Sequence, residues 1–142
     1  MFEKKYEDRL VIWSKFRETL EESEEPFRLC RELYNKAPLV SIYTDPWDIT
    51  TWPDPWQLLD ENRYCEFNIV LGMCYSLQLT ERFSKADFEI HICIDEVHSD
   101  MQYLLIIDNN YVLGYDRGAV MTLDSLPKTL KPQQTYRMQP LQ

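Results

Sequence analysis

Residues 64–79, Tyr-Cys-Glu-Phe-Asn-Ile-Val-Leu-Gly-Met-Cys-Tyr-Ser-Leu-Gln-Leu, hold one charge, Glu66, and carry apolar groups on almost every side. A helix of that composition is stable only when neighbours cover most of its faces, so the rest of the chain must wrap around it. The period then changes. Phe88, Ile90, Ile92 and Ile94 alternate with Glu89, His91, Cys93 and Asp95, the pattern of a half-buried strand with His91 on its polar face. Gln102–Ile107 is nearly all apolar and reads as a central strand, and Asp108-Asn109-Asn110 supplies the turn. Tyr111–Asp116 is the return strand and Ala119–Leu123 a fourth, after a turn at Arg117-Gly118.

Upstream, Tyr6, Leu10, Trp13, Phe16 and Leu20 form one stripe of an amphipathic helix over about residues 4–22. Ser23 and Pro26 start a second helix, which buries Phe27, Cys30, Leu33, Tyr34 and Ala37 and stops at Pro38. Between these helices and the apolar one lie Pro46, Pro53 and Pro55 with three of the four tryptophans, Trp47, Trp52 and Trp56. Each indole brings roughly 150–250 Å² of surface, so the segment is an ordered loop and not a linker. Asp54-Pro55 caps a short helix over about residues 56–60. The tail from Pro127, with Pro132, Pro140 and several Gln, has little apolar periodicity and is expected to wrap the surface or reach a neighbour.

The expected architecture is α+β: N-terminal helices and a buried central helix packed on a four-stranded antiparallel meander. The 142 residues make one domain, with a helical arm or hairpin over 1–38, an α+β core over 39–126 and an extended tail over 127–142.

Composition narrows the function. Three glycines cannot furnish a phosphate-cradling loop or a dinucleotide fingerprint. A net charge of -9 repels nucleic acid, and the one basic cluster, Lys128, Lys131 and Arg137, is thin. No segment reaches the roughly 20 apolar residues of a membrane span, and no apolar signal core opens the chain. Cys30, Cys65, Cys74 and Cys93 show no metal-ligand spacing and read as reduced thiols of a cytoplasmic protein. His91 and Cys93 share a strand face with Glu89, yet no further ligands offer the spacing of a metal centre. No cofactor is implied.

One constellation carries chemistry. Cys65 stands at the start of the apolar helix, where unsatisfied N–H groups favour a thiolate, so it is the candidate nucleophile. Tyr64-Cys65-Glu66-Phe67-Asn68, the helix behind it, the strand Phe88–Asp95 and the hairpin Tyr103–Asp116 resemble, in order and spacing, the papain-like core of bacterial transglutaminase-like cysteine peptidases over about residues 60 to 120. That resemblance implies a Cys at the helix start, a His at the beginning of a following strand and an Asp or Asn on the next. Cys65 matches the first and Asp116 the third. At the second stands Gln102, whose amide takes no proton from a thiol, so His98 or His91 would have to serve as base.

The acidic helical N-terminus, Trp-Pro-Asp-Pro-Trp-Gln-Leu-Leu before Glu-Asn-Arg-Tyr-Cys, and the low-Gly, Tyr-rich makeup resemble small structural proteins of tailed bacteriophages. This implies a non-enzymatic virion, tail or neck assembly component, found in the host cytoplasm and then in the particle. Its partners would be other protein subunits, bound through Trp47, Trp52, Trp56 and the tail. The competing reading is a peptidase, amidase or acyltransferase with Cys65 as nucleophile, His98 or His91 as base and Asp116 as orienter. A third, from charge alone, is a free cytosolic regulator of a basic partner.

Overall fold

A computed structural model describes residues 1–41, 44–115 and 119–141. Helices α1 (Tyr6–Glu22), α2 (Pro26–Tyr34), α3 (Pro55–Glu61) and α4 (Glu66–Gln78) precede strands β1 (Phe88–Asp95), β2 (Asp100–Ile107), β3 (Tyr111–Leu113), β4 (Met121–Thr122) and β5 (Leu130–Met138). The class is α+β. The apolar stretch after Tyr64 is α4, buried at every position from Phe67 to Gln78. The helices α1, α2 and α3 pack against it, and so does β2 of the sheet.

The inward stripe of α1 is the one its spacing predicts, with Trp13 and Leu20 buried and Tyr6, Leu10 and Phe16 packed at the margin. Two hydrogen-bonding devices lock the helices together. Ser76 of α4 donates to the Gly72 carbonyl (2.8 Å) and takes the Trp13 indole N–H and the Tyr34 hydroxyl, each at 2.9 Å. Tyr34 crosses α4 over Gly72, where a Cβ would stand 2.3 Å from its ring, so only glycine admits the crossing. Arg9 is buried and its guanidinium donates to the carbonyls of Leu59 and Asp60, both at 3.0 Å, and to that of Lys4. A cation there satisfies orphan carbonyls in the last turn of α3 and opposes the negative end of its dipole.

The sheet is antiparallel in the order β4-β3-β2-β1-β5. Five strands replace the four expected, because part of the segment read as a tail returns to pair beside β1. Strand alternation splits the side chains between two faces. Phe88, Ile90, Leu105, Ile107 and Leu113 meet the helices. Cys93, Leu104, Ile106 and Val112 point the other way, where Leu123, Leu126 and Leu130 cover them. The β3 and β4 strands are shorter than their sequence patterns suggest. Ser23 does not cap α2 directly: its backbone N–H closes the end of α1, its hydroxyl accepts from Glu25, and Glu25 occupies the capping position.

Candidate functional site

Cys65 occupies the N-cap of α4, as its place ahead of the apolar run predicts, but makes no side-chain capping bond and is only 5% exposed. It belongs to the core cluster between the helices and the helix-facing side of the sheet. On β2, Tyr103 packs its ring edge-on against Phe67, two residues along the chain from Cys65, at 5.4 Å. Burial first, then nearby acidic groups such as Glu66 and Asp45, hold the Tyr103 hydroxyl above its usual range. A phenol held protonated takes no proton from a thiol at neutral pH.

Neither histidine reaches this place. His91 pairs with Leu104 across the ladder and shares the face turned away from the helices, so the sheet stands between it and Cys65. Its Nε2 lies 2.9 Å from Glu89 Oε1 on the same strand face. His98 sits in the β1–β2 hairpin with its side chain 72% exposed and Nδ1 2.8 Å from Asp95 Oδ2. That Asp95 carboxylate also accepts the backbone N–H groups of Val97 and His98. The His98 hydrogen bond is the main cause that lowers its pKa. From Tyr103 to the hairpin end of β2 is roughly 10 Å of strand, so His98 serves the turn and not Cys65. Asp116 lies outside the described residues. Among those described, no nucleophile–base pair is assembled at Cys65.

The other thiols are no more available. Cys30 and Cys74 are enclosed, and burial raises both pKa values. Burial pushes the Cys93 thiol up to about 11, beneath the cover of the outer sheet face. No group of three His, Cys, Asp or Glu among the described residues could hold a metal ion.

Two grooves flank α2. One, of about 310 Å³, is lined by polar groups including Arg31, Asn35, Glu66 and Gln102, and by Ile69 and Met73 of α4. The second, of about 590 Å³, is walled by Phe27, Phe83 and Tyr111. Phe27 lies 5.3 Å from Phe83 and 5.1 Å from Tyr111, ring centre to ring centre. Sequence reasoning missed this aromatic groove, since the rings come from a helix, a turn and a strand that only the fold brings together.

The three loop tryptophans divide. Trp52 turns inward, its indole 4.9 Å from both Phe67 and Tyr136, and its Nε1 donates to the Asp45 carbonyl at 3.1 Å. Trp56 leans edge-on against Trp13 at 5.5 Å but remains 47% exposed. Trp47 is 52% exposed and Ile49, which the sequence did not single out, 55%. Beneath them the backbone is pinned. Asp45 accepts from the Trp47 N–H (2.9 Å), Asp48 from both the N–H (3.1 Å) and the hydroxyl (2.6 Å) of Thr50. Thr51 donates to the Asp48 carbonyl at 2.7 Å. Asp54 and Gln57 then cap α3 reciprocally, as in a capping box. The loop therefore presents large apolar side chains on a backbone that is already ordered.

No protein-family model matches this chain, and neither does any curated protein. No helix among the described residues is long and apolar enough to cross a membrane.

Proposed function

We propose that this chain is a non-enzymatic structural protein that docks onto other subunits of an assembly through its Trp/Pro loop. The setting is the one implied by its resemblance to tailed-bacteriophage structural proteins: a virion, tail or neck component, present in the host cytoplasm and then in the particle. The observation that carries the docking is the exposure of Trp47 and Ile49 on a loop whose backbone is held by its own aspartates and threonines. An apolar surface left in water costs roughly 25 cal/mol per Å², and a rigid one loses little further entropy when a partner covers it. The peptidase reading has less support, because Cys65 is enclosed, His91 lies on the other face of the sheet and His98 is held in the hairpin turn.

A Trp47→Ser/Ile49→Ser chain tests the reading. Both side chains are largely in water, so the double variant is expected to keep the wild-type circular dichroism and thermal midpoint. Expressed in place of the natural chain, it is expected to drop out of the fast-sedimenting assembly that the wild type enters, whereas Cys65→Ser enters normally. A wild type that sediments only as free protein, or a double variant that still enters the assembly, overturns the proposal.

A further inference from the structure

The β5 strand ends the sheet, and among the described residues no strand pairs with its outer edge. Its inner edge pairs with β1 in unbroken register from Phe88 with Met138 to Ile92 with Gln134. Beyond that the register shifts, and Pro132, opposite Cys93, has no N–H to offer. Bulges and prolines are the devices by which open edges avoid indiscriminate pairing. They protect the half of β5 around Leu130–Gln133 and leave Gln134–Met138 as regular strand. Among the described residues, no backbone bond from a turn or loop reaches the outer edge of 134–138.

This same half lies against the loop described above. Tyr136 donates its hydroxyl to the Trp47 carbonyl at 3.4 Å and meets Trp52 edge-on. Tyr136 and Met138 face the helix side, whereas Thr135 and Arg137, paired with His91 and Glu89, face the other. Charge distinguishes the strand from the rest of the surface. From Ser125 to Gln142 there is no Asp or Glu, but there are Lys128, Lys131 and Arg137, in a chain of net charge -9. Arg137 is also bound to Asp87 at 2.7 Å.

We propose that Gln134–Met138, flanked by Trp47, takes an extended acidic segment of a partner protein as a sixth strand. The inference rests on the docking reading above and specifies the partner's chemistry. Backbone hydrogen bonds supply the pairing. Apolar side chains of the incoming strand lie beside Tyr136 and Trp47, and its carboxylates lie on the Arg137 side or toward Lys131. A second copy of this chain fits poorly. From Ser125 to Gln142 it has no carboxylate side chain to offer, so two β5 edges would bring only the cations Lys128, Lys131 and Arg137 of each copy together.

The test uses the full chain and three blocked octapeptides: alternating Glu and Val, alternating Lys and Val, and the Glu/Val peptide with alternate amides N-methylated. The Glu/Val peptide is expected to slow hydrogen exchange at amides within 134–138 and to bind more weakly as salt rises. Lys131→Glu is expected to weaken it about fivefold, the size of one exposed attraction lost and one repulsion gained. Equal binding of the Lys/Val peptide, undiminished binding of the N-methylated one, or a β5-mediated dimer of the free chain would each overturn the proposal. If all peptides leave β5 untouched while the Trp47→Ser/Ile49→Ser chain is still lost from the assembly, strand addition fails and the docking reading stands. If the Glu/Val peptide adds to β5 and the double variant still enters the assembly, the docking reading fails and strand addition stands.

Discussion

Replacing Ser76 by Ala removes one oxygen and strands two donors. The Trp13 indole N–H and the Tyr34 hydroxyl both end on Ser76 Oγ at 2.9 Å, in a region from which Ser76 is itself wholly excluded from water. Leaving a buried donor unpaired costs about 1–3 kcal/mol. Two of them give about 2–6 kcal/mol, offset by about 0.5 kcal/mol because Ala is the better helix former. We therefore expect Ser76→Ala to lower stability by about 3 kcal/mol, which for a chain of this length lowers the midpoint by roughly 10 °C. Urea titration followed by tryptophan emission reads this directly, since Trp13 belongs to the network. The pairing with Tyr34 gives a sharper check. Tyr34→Phe in the wild type removes one hydrogen bond and costs about 1 kcal/mol, but in the Ser76→Ala chain it removes an orphaned hydroxyl and should restore stability. A Ser76→Ala loss under about 0.5 kcal/mol, or a Tyr34→Phe effect equal in both backgrounds, would refute the reasoning.

Two other consequences are open to measurement. Tyr34, Tyr64, Tyr75, Cys30, Cys74 and Cys93 all have pKa values raised first by burial. Each is charged only when deprotonated, so its contribution is fully present below the unfolded value, near 8.5 for a thiol and 10 for a phenol, and is lost as pH rises toward the folded value. Chemical denaturation across the pH range should show stability falling from about pH 8.5 upward, and a flat profile to pH 11 would contradict the burial of these groups. Arg9→Met should cost about 3 kcal/mol by stranding the carbonyls at the end of α3, and Arg9→Lys should recover only part of it, because an ammonium cannot reproduce the planar fork. Equal stability of the two variants in thermal melts would argue against that role.

The helices and the first two strands were legible because their signals are local. The stripe from Tyr6 to Leu20 and the alternation from Phe88 to Ile92 are periods carried by side chains a turn or two residues apart. From Cys93 the burial phase reverses, with Cys93 and Asp95 buried and Ile94 not, as Leu123, Leu126 and Leu130 cover the outer face near Cys93. Alternation also placed His91 on the polar face, which already set it apart from a buried helix. β5 escaped notice for a physical reason. As an edge strand it buries only Leu130, so its place in the sheet is held largely by backbone bonds to β1, and those leave no mark in the side-chain pattern. Trp47, Trp52 and Trp56 carry the same composition signal, yet Trp52 finds Phe67 and Tyr136 while Trp47 finds none of the core.

What the sequence by itself determined is therefore the four helices, the first two strands, the α+β class and the enclosure of α4, because each follows from which residues in one segment must leave water. Tertiary structure alone decided that Tyr103 packs on Phe67 of α4, that Trp52 turns inward while Trp47 stays in water, and that β5 closes beside β1 against the tryptophan loop. These are pairings between segments far apart in the chain, chosen by the packing of whole faces, and no local period encodes them.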